Sequence, residues 1–498
     1  MHPKFPNIND FPVLRELVSQ FPKAQICLVG GAVRDILIGK KTTDFDMLLR
    51  GVNPDELETF LASRGRVVYA GKNFGVWKFC EIGRPKNEMY DIAMPRTEFS
   101  LHKQGMYKDF SVKTDPHLPI EEDLKRRDFT INAMAYDLVT RKLIDPHQGS
   151  ADVLSKIIRT VGKPEDRFAE DYSRLLRALR FSIQLGFNIE PETMASLTSL
   201  MVNINDEIDG RNTVPRETIA EEFLKSLRAD ALAAIKIWDS AGALAEIIPE
   251  LLHMKNCPQP DAWHTEGDVW NHTLLALEKL KSEELKNEFN NEPIDSDLML
   301  AVLFHDIGKP YTIQIPERND VERIRYNDHD NVGARITEKI LNRLKISAPP
   351  EAGVSVENIV WMIENHMLLV HGDPEKLRPN TIEKYFFNPR KPSRNLMKLM
   401  LADGLATIGP DGAGFREKFD QLCRRIAEIK KTTGSRGHLL AKPLINGNAV
   451  MKITGIEPGI GVGKIIEDIR HKQLSGELKS KEDAISYLKN TKNQSQNR

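Results

Sequence analysis

Cysteine is scarce in this chain of 498 residues, and its placement excludes a disulfide framework. The four cysteines are far apart and form no Cys-x-x-Cys pair; they are Cys27, Cys80, Cys257 and Cys423. Neither a thiolate zinc site nor a set of disulfides is therefore expected, and a reducing compartment fits this usage. No apolar run reaches the length of a membrane span, and residues 1–10 lack the apolar core of a signal peptide. These absences predict a cytoplasmic protein without a membrane partner.

An excess of charge of one sign is also missing. The 70 lysines and arginines nearly cancel the 71 aspartates and glutamates, so the formal net charge is -1. Net charge therefore gives no argument for a nucleic-acid partner, although a basic face can still exist where opposite charges are segregated. The length is too great for one core and suggests roughly two to four domains.

Strand and helix signals are distributed unevenly along the chain. Short apolar runs of the β type, separated by glycine-bounded turns, lie at 25–29, 45–49, 76–80 and 90–94. After about residue 152, amphipathic and apolar segments such as 171–185 and 297–304 predict helices. From about Lys479 the chain is rich in Lys, Asn, Gln and Ser, which predicts a disordered tail. The sequence thus predicts an α+β domain followed by mainly helical ones.

The stretch LVGGAVRDILIGKKTTDFDMLL combines two glycines, an Arg-Asp pair and two aspartates one residue apart. Gly30 and Gly31 allow backbone N–H groups to approach a phosphate closely where a helix begins. Asp44 and Asp46 alternate in a strand, so their carboxylates share one face and need a cation between them. Carboxylate oxygens are suitable ligands for Mg²⁺. Taken singly, these features also fit a turn and a solvated hairpin edge.

Two further segments supply arginines and acidic groups. In EEDLKRRDFTINAMAYD two adjacent arginines precede Asp128, and one of these guanidinium forks can hold a triphosphate. Asp128 is predicted either to join the metal site as a third acidic group or to orient the arginines. In EDYSRLLRALRF the spacing places Asp171, Arg174 and Arg177 on one helical face, where an acceptor beside a donor can read a nucleobase edge. Ordinary ion pairs are the alternative interpretation of both segments.

Taken in order, GGAVRD, DFD, RRDFTINAMAYD and EDYSRLLRALRF closely resemble the motifs of class II tRNA nucleotidyltransferases and bacterial poly(A) polymerases. The resemblance covers about residues 27–187. It implies a polymerase-beta-like nucleotidyltransferase head domain, followed by mainly α-helical neck, body and tail domains. It implies tRNA, CTP and ATP as partners and Mg²⁺ as cofactor. The implied roles are catalytic magnesium binding by Asp44 and Asp46, nucleotide contact by Gly31, Arg34 and Arg127, base selection by Asp171 and Arg174, and triphosphate contact by Arg177 and Arg180.

A second group of residues has the composition of a metal site. In chain order its members are His272, His305, Asp306, His329, His366 and Asp403. Imidazoles and carboxylates at helix ends are good ligands for a transition metal or a mixed metal pair. With HDIGKP at its centre, the segment from about 263 to 403 resembles the HD phosphohydrolases. That resemblance implies one metal held by His272, His305, Asp306 and Asp403, and His329 and His366 as ligands of a second; His264 is a weaker candidate.

Together the two resemblances divide the chain into four predicted parts. These are a head at 1–150, a helical neck and RNA-binding domain at 151–250, an HD-type metal domain at 251–410 and a helical tail with a disordered C-terminus at 411–498. The predicted function is template-independent addition of CMP and AMP to the tRNA 3′ end with release of pyrophosphate. For the HD domain two interpretations stay open: a second, phosphohydrolase activity, or a domain kept for RNA binding whose metal site is silent.

Several alternatives remain open from the sequence. Within the same chemistry they are a poly(A) polymerase and a specialist that adds only the final A. From other classes they are an HD phosphohydrolase with a nucleotide-sensing head and a non-catalytic RNA-binding protein. Residues 95–123 have mixed charges and no clear period. Family members that add only the two cytidines lack a loop in this region, so its presence implies that adenosine can be added.

Overall fold

The computed structural model describes residues 4–42, 45–69, 75–83, 89–100, 105–107, 109–349, 352–370, 373–409, 414–432, 443–474 and 477–496. The chain divides into two compact units, one formed by 1–249 with 343–352 and the other by 250–342 with 353–498. The predicted fold class, an α+β head followed by mainly helical domains, is confirmed. The division into four domains stays a prediction. Within the described ranges, no helix has the length and apolar character needed to cross a membrane.

A seven-stranded sheet is the main β structure of the first unit. The strands of this unit are β1 (Gln25–Val29), β2 (Asp46–Arg50), β3 (Gly65–Tyr69), β4 (Val76–Glu81), β5 (Tyr90–Ala93), β6 (Arg96–Ser100), β7 (Phe110–Thr114), β8 (Ala135–Asp137), β9 (Leu143–Ile144), β10 (Ile157–Ile158), β11 (Asn188–Ile189), β12 (Glu207–Ile208) and β13 (Arg211–Asn212). The order in the sheet is β3-β4-β5-β2-β1-β8-β9. The central strand β2 pairs antiparallel with β1 and parallel with β5, so it is bonded on both edges.

The central strands are buried, which explains why their apolar runs predicted them well. Residues 25–29 form β1 as predicted, and β2 begins one residue later than predicted. Cys27, Leu48 and Ala135, from three neighbouring strands, belong to one buried cluster. The segment without a clear period contains a hairpin of β6 and β7 that the sequence did not predict. Residues 101–104 and 108 of this segment lie outside the described residues.

Helices cover the sheet and continue beyond it in the first unit. Their bounds are α1 (Pro12–Gln20), α2 (Gly31–Leu37), α3 (Pro54–Ala62), α4 (Ile120–Lys125), α5 (Gly149–Ser155), α6 (Pro164–Glu170), α7 (Ser173–Leu185), α8 (Pro191–Leu200), α9 (Arg216–Ala229), α10 (Ala231–Ser240) and α11 (Ala243–Ile247). The short helix α12 (Pro249–Leu252) begins at the last residue of this stretch, and its other residues belong to the second unit. Helix α7 packs against α9 and α10.

The start of α7 differs from the prediction. Asp171 precedes the helix in an extended conformation, with φ -160° and ψ 106°. Its carboxylate accepts a hydrogen bond from the backbone N–H of Ser173 at 2.9 Å. Such short-range bonds compete with helix formation and mark a helix start instead. The prediction that Asp171 shares a helical face with Arg174 and Arg177 is therefore wrong for Asp171.

The second unit is mainly helical. Its helices are α13 (Val269–Lys279), α14 (Glu283–Glu288), α15 (Ser296–Phe304), α16 (Lys309–Thr312), α17 (His329–Arg343), α18 (Val356–Asn365), α19 (Pro379–Ile382), α20 (Ser393–Ala406), α21 (Gly414–Thr432), α22 (Gly447–Thr454), α23 (Ile460–Leu474) and α24 (Lys481–Gln496), with the short strands β14 (Ile313–Gln314) and β15 (Arg325–Tyr326). Helix α15 packs against α13, α18 and α20. Contact on several sides explains its nearly continuous apolar sequence.

The predicted disordered tail is wrong, because α24 covers most of it. The helix begins with a cap in which Asp483 accepts from the N–H of Ser480 at 2.9 Å, while the Ser480 hydroxyl accepts from the N–H of Asp483 at 3.1 Å. Ala484 and Leu488, one turn apart, then pack into a small buried cluster with Val450 of α22. A capping box and two apolar residues at helical spacing therefore outweigh the polar composition.

Candidate active site and metal centre

The carboxylate of Asp46 stands at the first residue of the central strand β2. Asp46 is in register with Asp91 of β5, which is in register with Lys78 of β4. Cross-strand partners face the same side of a sheet, so Asp46 and Asp91 adjoin, while Met47 is buried on the opposite face. Lys78 donates to Asp91 at 2.9 Å. The sequence analysis missed Asp91, because only strand register brings it to Asp46; Asp44 lies outside the described residues.

The two glycines at the start of α2 make room for arginine side chains. A Cβ on Gly30, which has φ +66°, would lie 2.8 Å from Nη1 of Arg127. A Cβ on Gly31 would lie 3.3 Å from Nη2 of Arg34. Both guanidinium groups therefore lie against the backbone at a helix N-terminus, where the helix dipole also favours an anion. This arrangement joins GGAVRD to the RRD segment.

A chain of hydrogen bonds joins three of the sequence motifs. Nη1 of Arg34 donates to Oδ1 of Asn132 at 2.6 Å, and Nδ2 of Asn132 donates to Oδ1 of Asp128 at 3.2 Å. Nε and Nη2 of Arg177 both donate to Oδ2 of Asp128, at 2.9 and 2.6 Å. Burial alone would raise the pKa of Asp128, but the charge of Arg177 outweighs it and holds that pKa at about 2. Both oxygens of Asp128 are engaged, which favours its role in orienting arginines over the predicted role at the metal site.

The two residues predicted to select the base are fixed by separate partners. Asp171 is bonded to the backbone at the start of α7, and burial raises its pKa. Arg174 donates through Nη1 to Oε2 of Glu170 at 2.6 Å and to the carbonyl of Arg167 at 3.0 Å. The sequence analysis did not foresee Glu170 as the partner of Arg174. Both side chains are thus held in place, as residues that hydrogen-bond a base must be.

Part of the segment between β6 and β7 contacts the place where Asp171 lies. The N–H of Gly105 donates to the carbonyl of Ala169 at 2.8 Å, and its own carbonyl accepts from the N–H of Tyr172 at 2.9 Å. Gly105 is therefore bonded to the chain on both sides of Asp171. It has φ +72°, and a Cβ there would lie 2.1 Å from the Tyr172 ring, so the approach requires glycine.

Arg180 lies on α7 but bonds toward α9. Its Nε donates to Oε2 of Glu222 at 2.5 Å, and its Nη1 donates to Oε1 of Gln184 at 2.7 Å. Both members of the Arg180–Glu222 pair are buried. A buried ion pair of this kind holds its arginine in one orientation, because separating the charges is costly.

Replacing Gly30 by alanine is expected to weaken nucleotide use. The new Cβ would displace Arg127 and would also be strained at positive φ, so we expect the KM for nucleoside triphosphates to rise by about 10-fold. The matched control is Gly186→Ala, which has the same φ of +66° but no atom within 4 Å of the new Cβ. Steady-state kinetics and thermal unfolding of both variants test this. An unchanged KM in Gly30→Ala would contradict the placement of Arg127 at the nucleotide.

The six predicted ligands of the second unit come together at one centre. Nε2 of His272 lies 2.9 Å from Oδ1 of Asp403, and Nε2 of His305 lies 3.3 Å from Oδ2 of Asp306. Nε2 of His329 lies 3.5 Å from Oδ1 of Asp306. The ligand atoms form two sets, each within 4.8 Å; the sets are His272, His305 and Asp403, and Asp306, His329 and His366. Asp306 thus contacts members of both sets, whereas the sequence prediction grouped it with the first.

Several atoms at this centre are buried and have no hydrogen-bond partner among the described residues. They are Nε2 of His305, His329 and His366. The Nδ1 atom of each of these histidines is bonded to the carbonyl three residues earlier, at 2.7 to 2.8 Å. With the proton on Nδ1, each Nε2 lone pair is directed to the centre. Buried polar atoms are costly unless paired, and a metal ion with nitrogen and carboxylate ligands fits them.

Electrostatics at the centre are dominated by its carboxylates. Burial lowers the pKa of His305, but Asp306 and Asp403 outweigh burial and raise it to about 10. Burial and the neighbouring charges of His305 and His329 lower the pKa of His366 to about 4. Nζ of Lys309 lies 2.7 Å from Oδ2 of Asp306 and supplies a further positive charge.

His264 lies with Glu266 and His272 in a further group whose possible ligand atoms are within 4.8 Å of one another. Oε1 of Glu266 accepts from Nδ1 of His272 at 2.8 Å and from Nδ1 of His264 at 2.7 Å. Oε2 of Glu266 accepts from the N–H of Ile408 at 3.0 Å. Burial would raise the pKa of Glu266, but the two histidines outweigh it and hold it at about 2. Glu266, which the sequence analysis missed, thus fixes the ring of His272, and His264 supports Glu266.

Known proteins share both regions of the chain. Residues 26–159 match the model of the Poly A polymerase head domain, and residues 269–408 match the model of the HD domain. A multifunctional CCA protein of Vibrio parahaemolyticus is 35% identical over 367 residues, which are 72% of this chain and 79% of that protein. The chain belongs to the tRNA nucleotidyltransferase family. Its membership confirms the predicted family and enzyme class.

Other members of the family match nearly the whole of this nucleotidyltransferase. An A-adding tRNA nucleotidyltransferase of Deinococcus radiodurans is 29% identical over 467 residues, or 93% of this chain and 94% of that one. The crystal structure of the Bacillus stearothermophilus CCA-adding enzyme in complex with CTP covers 98% of this chain and all of its own, at 21% identity and a TM-score of 0.57. This likeness shows a shared fold. The family uses divalent metal ions, and the carboxylates of the head and the ligand sets of the second unit fit such ions.

Proposed function

We propose that this nucleotidyltransferase completes and repairs the CCA end of tRNA, adding CMP and AMP from CTP and ATP. The observation that carries the proposal is the hydrogen-bonded chain Arg34–Asn132–Asp128–Arg177, which joins three nucleotide motifs in one unit. The names of the relatives, a multifunctional CCA protein and an A-adding tRNA nucleotidyltransferase, support tRNA as the substrate. Since tRNA and nucleoside triphosphates meet in the cytoplasm, we place the reaction there.

The proposed reaction is one phosphoryl displacement per nucleotide. The 3′-hydroxyl oxygen of the RNA forms a bond to the α-phosphorus of the nucleotide. The bond between the α-phosphorus and the oxygen that bridges to the β-phosphate breaks, and pyrophosphate leaves. The proton of the hydroxyl group is released to solvent. Asp44 and Asp46 would hold Mg²⁺, which when bound neutralises phosphate charge and favours loss of that proton. Asp91, beside Asp46, is the proposed third acidic group in place of Asp128. Most of the acceleration comes from positioning and electrostatics.

The nucleotide is held by backbone and guanidinium groups. The N–H groups that follow Gly30 and Gly31 would donate to phosphate oxygens at the start of α2. Arg34 and Arg127 lie against that turn and would contact the triphosphate. We propose the side chains of Asp171 and Arg174 as the groups that hydrogen-bond the base of CTP or ATP.

Addition of the terminal adenosine is favoured over addition of two cytidines alone. The segment that contains Gly105 is present and bonded on both sides of Asp171. We expect Gly105→Ala to reduce adenosine addition by at least about 10-fold relative to cytidine addition, because its Cβ would overlap the Tyr172 ring and displace the segment. Gly83→Ala is the control, since Gly83 also has positive φ and open space around it. An unchanged ratio of CCA to CC products would contradict this role.

The deciding experiment measures incorporation with Mg²⁺ on tRNA transcripts that end before CCA, after C and after CC. Each transcript receives CTP, ATP or both, and products are resolved to one nucleotide. Addition that stops at CCA is the expected result. A single A added only to the transcript ending in CC would replace the proposal with an A-adding specialist. Long A tails on any RNA would replace it with a poly(A) polymerase.

A second activity is proposed for the HD centre, where the unpartnered buried atoms favour a bound metal ion. We propose hydrolysis of phosphate esters, including 2′,3′-cyclic phosphates at damaged RNA ends. His272, His305 and Asp403 would hold one metal, while Asp306, His329 and His366 would hold a second. A transition metal there would supply Lewis acidity toward the phosphate.

A further inference from the structure

The ring of Phe181 lies among three guanidinium groups from two separate motifs. The Cζ atoms of Arg34, Arg177 and Arg180 lie 5.3, 5.3 and 4.0 Å from the ring centroid. Arg34 comes from α2, and the other two precede Phe181 on α7. All three distances are within the range in which a cation is attracted to an aromatic face. Neither the sequence motifs nor the proposed reaction assigns any part to this ring.

The ring itself is held in one orientation. Phe181 is only 8% exposed, and the ring of Phe129 packs edge-on against it, with centroids 5.8 Å apart and an interplanar angle of 82°. Phe129 follows Asp128 directly, so the same segment that pairs with Arg177 also fixes the ring. Edge-to-face aromatic pairs are a favoured arrangement in protein interiors.

Each arginine has its own carboxylate partner, so the three cations can lie together. At their shortest, these N–O distances are 2.8 Å for Arg34 and Asp35, 2.6 Å for Arg177 and Asp128, and 2.5 Å for Arg180 and Glu222. Without such partners, like charges around a single ring would repel one another strongly. The carboxylate partners differ from one arginine to the next, while the Phe181 ring lies near all three guanidinium groups.

We propose that Phe181 is a positioning residue that holds Arg34, Arg177 and Arg180 as one array for the triphosphate and for the departing pyrophosphate. The inference rests on the proposed nucleotidyl transfer and names how the polyphosphate is recognised. Arginine side chains are long and lose rotational freedom when they bind a ligand. A shared ring orders the three arginines before the nucleotide binds, so less conformational entropy is lost when they bind several phosphate oxygens.

Replacing Phe181 by leucine tests the array, because leucine is apolar but has no aromatic face. We expect the KM for CTP and ATP to rise by about 10-fold and kcat to change by less than about threefold, since only prior ordering of the arginines is lost. The inhibition constant of inorganic pyrophosphate is expected to rise by a similar factor. Phe181→Tyr retains the ring and is expected to keep the parental KM.

Phe187→Leu is the matched control for lost packing. Phe187 is 5% exposed and follows α7, and no cation lies over its ring within the described part of the chain. We expect this variant to lose stability, as Phe181→Leu does, with KM and pyrophosphate inhibition unchanged. Phe181→Met, with a flexible side chain of similar size, replaces the leucine variant if that one does not fold.

Equal KM and equal pyrophosphate inhibition in Phe181→Leu and the parent would overturn the proposal. So would parallel changes in Phe187→Leu, which would assign the effect to packing alone.

The KM measurement uses whichever nucleotide the parent enzyme incorporates. A parent that adds only adenosine would therefore overturn the CCA function while the array remained supported by a raised KM for ATP. A parent that adds no nucleotide is tested by calorimetric binding of pyrophosphate, where equal affinities would overturn the array.

Discussion

Asp46→Asn is expected to abolish nucleotide addition while tRNA binding is retained. Asparagine has nearly the same shape as aspartate but carries no negative charge, so it cannot support a divalent cation at the start of β2. Loss of a metal-binding carboxylate removes several kcal/mol of transition-state stabilisation, which corresponds to a fall in kcat of about 1,000-fold or more. The measurements are single-turnover incorporation with Mg²⁺ and tRNA affinity by filter binding.

The control for this variant is Asp55→Asn, which removes an exposed aspartate from the first turn of α3 in the same unit. It should incorporate nucleotides at the parental rate. Asp46→Asn should also keep its thermal stability to within a few degrees, because Asp46 is exposed. Normal incorporation by Asp46→Asn would remove Asp46 from the active site, whatever the effect on RNA binding.

Asp306→Asn is expected to remove phosphohydrolase activity and leave nucleotide addition unchanged. Asp306 contacts members of both ligand sets, so its charge supports both proposed metal positions. We expect hydrolysis of a 2′,3′-cyclic nucleotide to fall by about 1,000-fold and metal affinity by at least about 100-fold. Metal content of the purified protein, measured by mass spectrometry, gives a reading that does not depend on the substrate chosen.

The two variants serve as controls for each other, because their sites belong to different units. Asp46→Asn should keep full hydrolysis, and Asp306→Asn should keep full nucleotide addition. Asp320→Asn, at an exposed position of the second unit, controls for general effects of the substitution. Hydrolysis that persists in Asp306→Asn with its metal lost would show that the HD centre is not the site of that activity.

Local patterns predicted the elements whose burial is nearly uniform. The apolar run at 25–29 became β1, and the run at 297–304 became nearly all of α15, because both are enclosed by other elements. The hairpin of β6 and β7 was missed because β6 (RTEFS) has no regular alternation of polar and apolar residues, although β7 (FSVKT) alternates. The helix α24 was missed because its polar composition concealed a capping box.

The site residues also divide into those that a local sequence pattern identifies and those that only tertiary contacts identify. Gly30, Gly31 and the histidines predicted to bind metal carry a local signature and were named from the sequence. Asn132 and Glu222 were not, because each acts through a partner far along the chain, Arg34 and Arg180 respectively. For Asp128 the sequence left two roles open, and only the position of Arg177 favours one of them. Tertiary pairing, rather than composition, decides such roles.

The position of β2 in the middle of the sheet has a consequence for the motions of the enzyme. Met47 and Leu48 follow Asp46 in a strand that is paired on both edges, so their amide hydrogens can exchange with water only through an opening that breaks the sheet. Asp171, by contrast, lies in the short connection between α6 and α7, where local hydrogen bonds and the bonds of Gly105 to Ala169 and Tyr172 hold the chain. The carboxylate proposed for the chemical step therefore belongs to a slowly opening part of the molecule. Asp171, the residue proposed to bind the base, is held instead by bonds within a loop and to a separate segment of the chain.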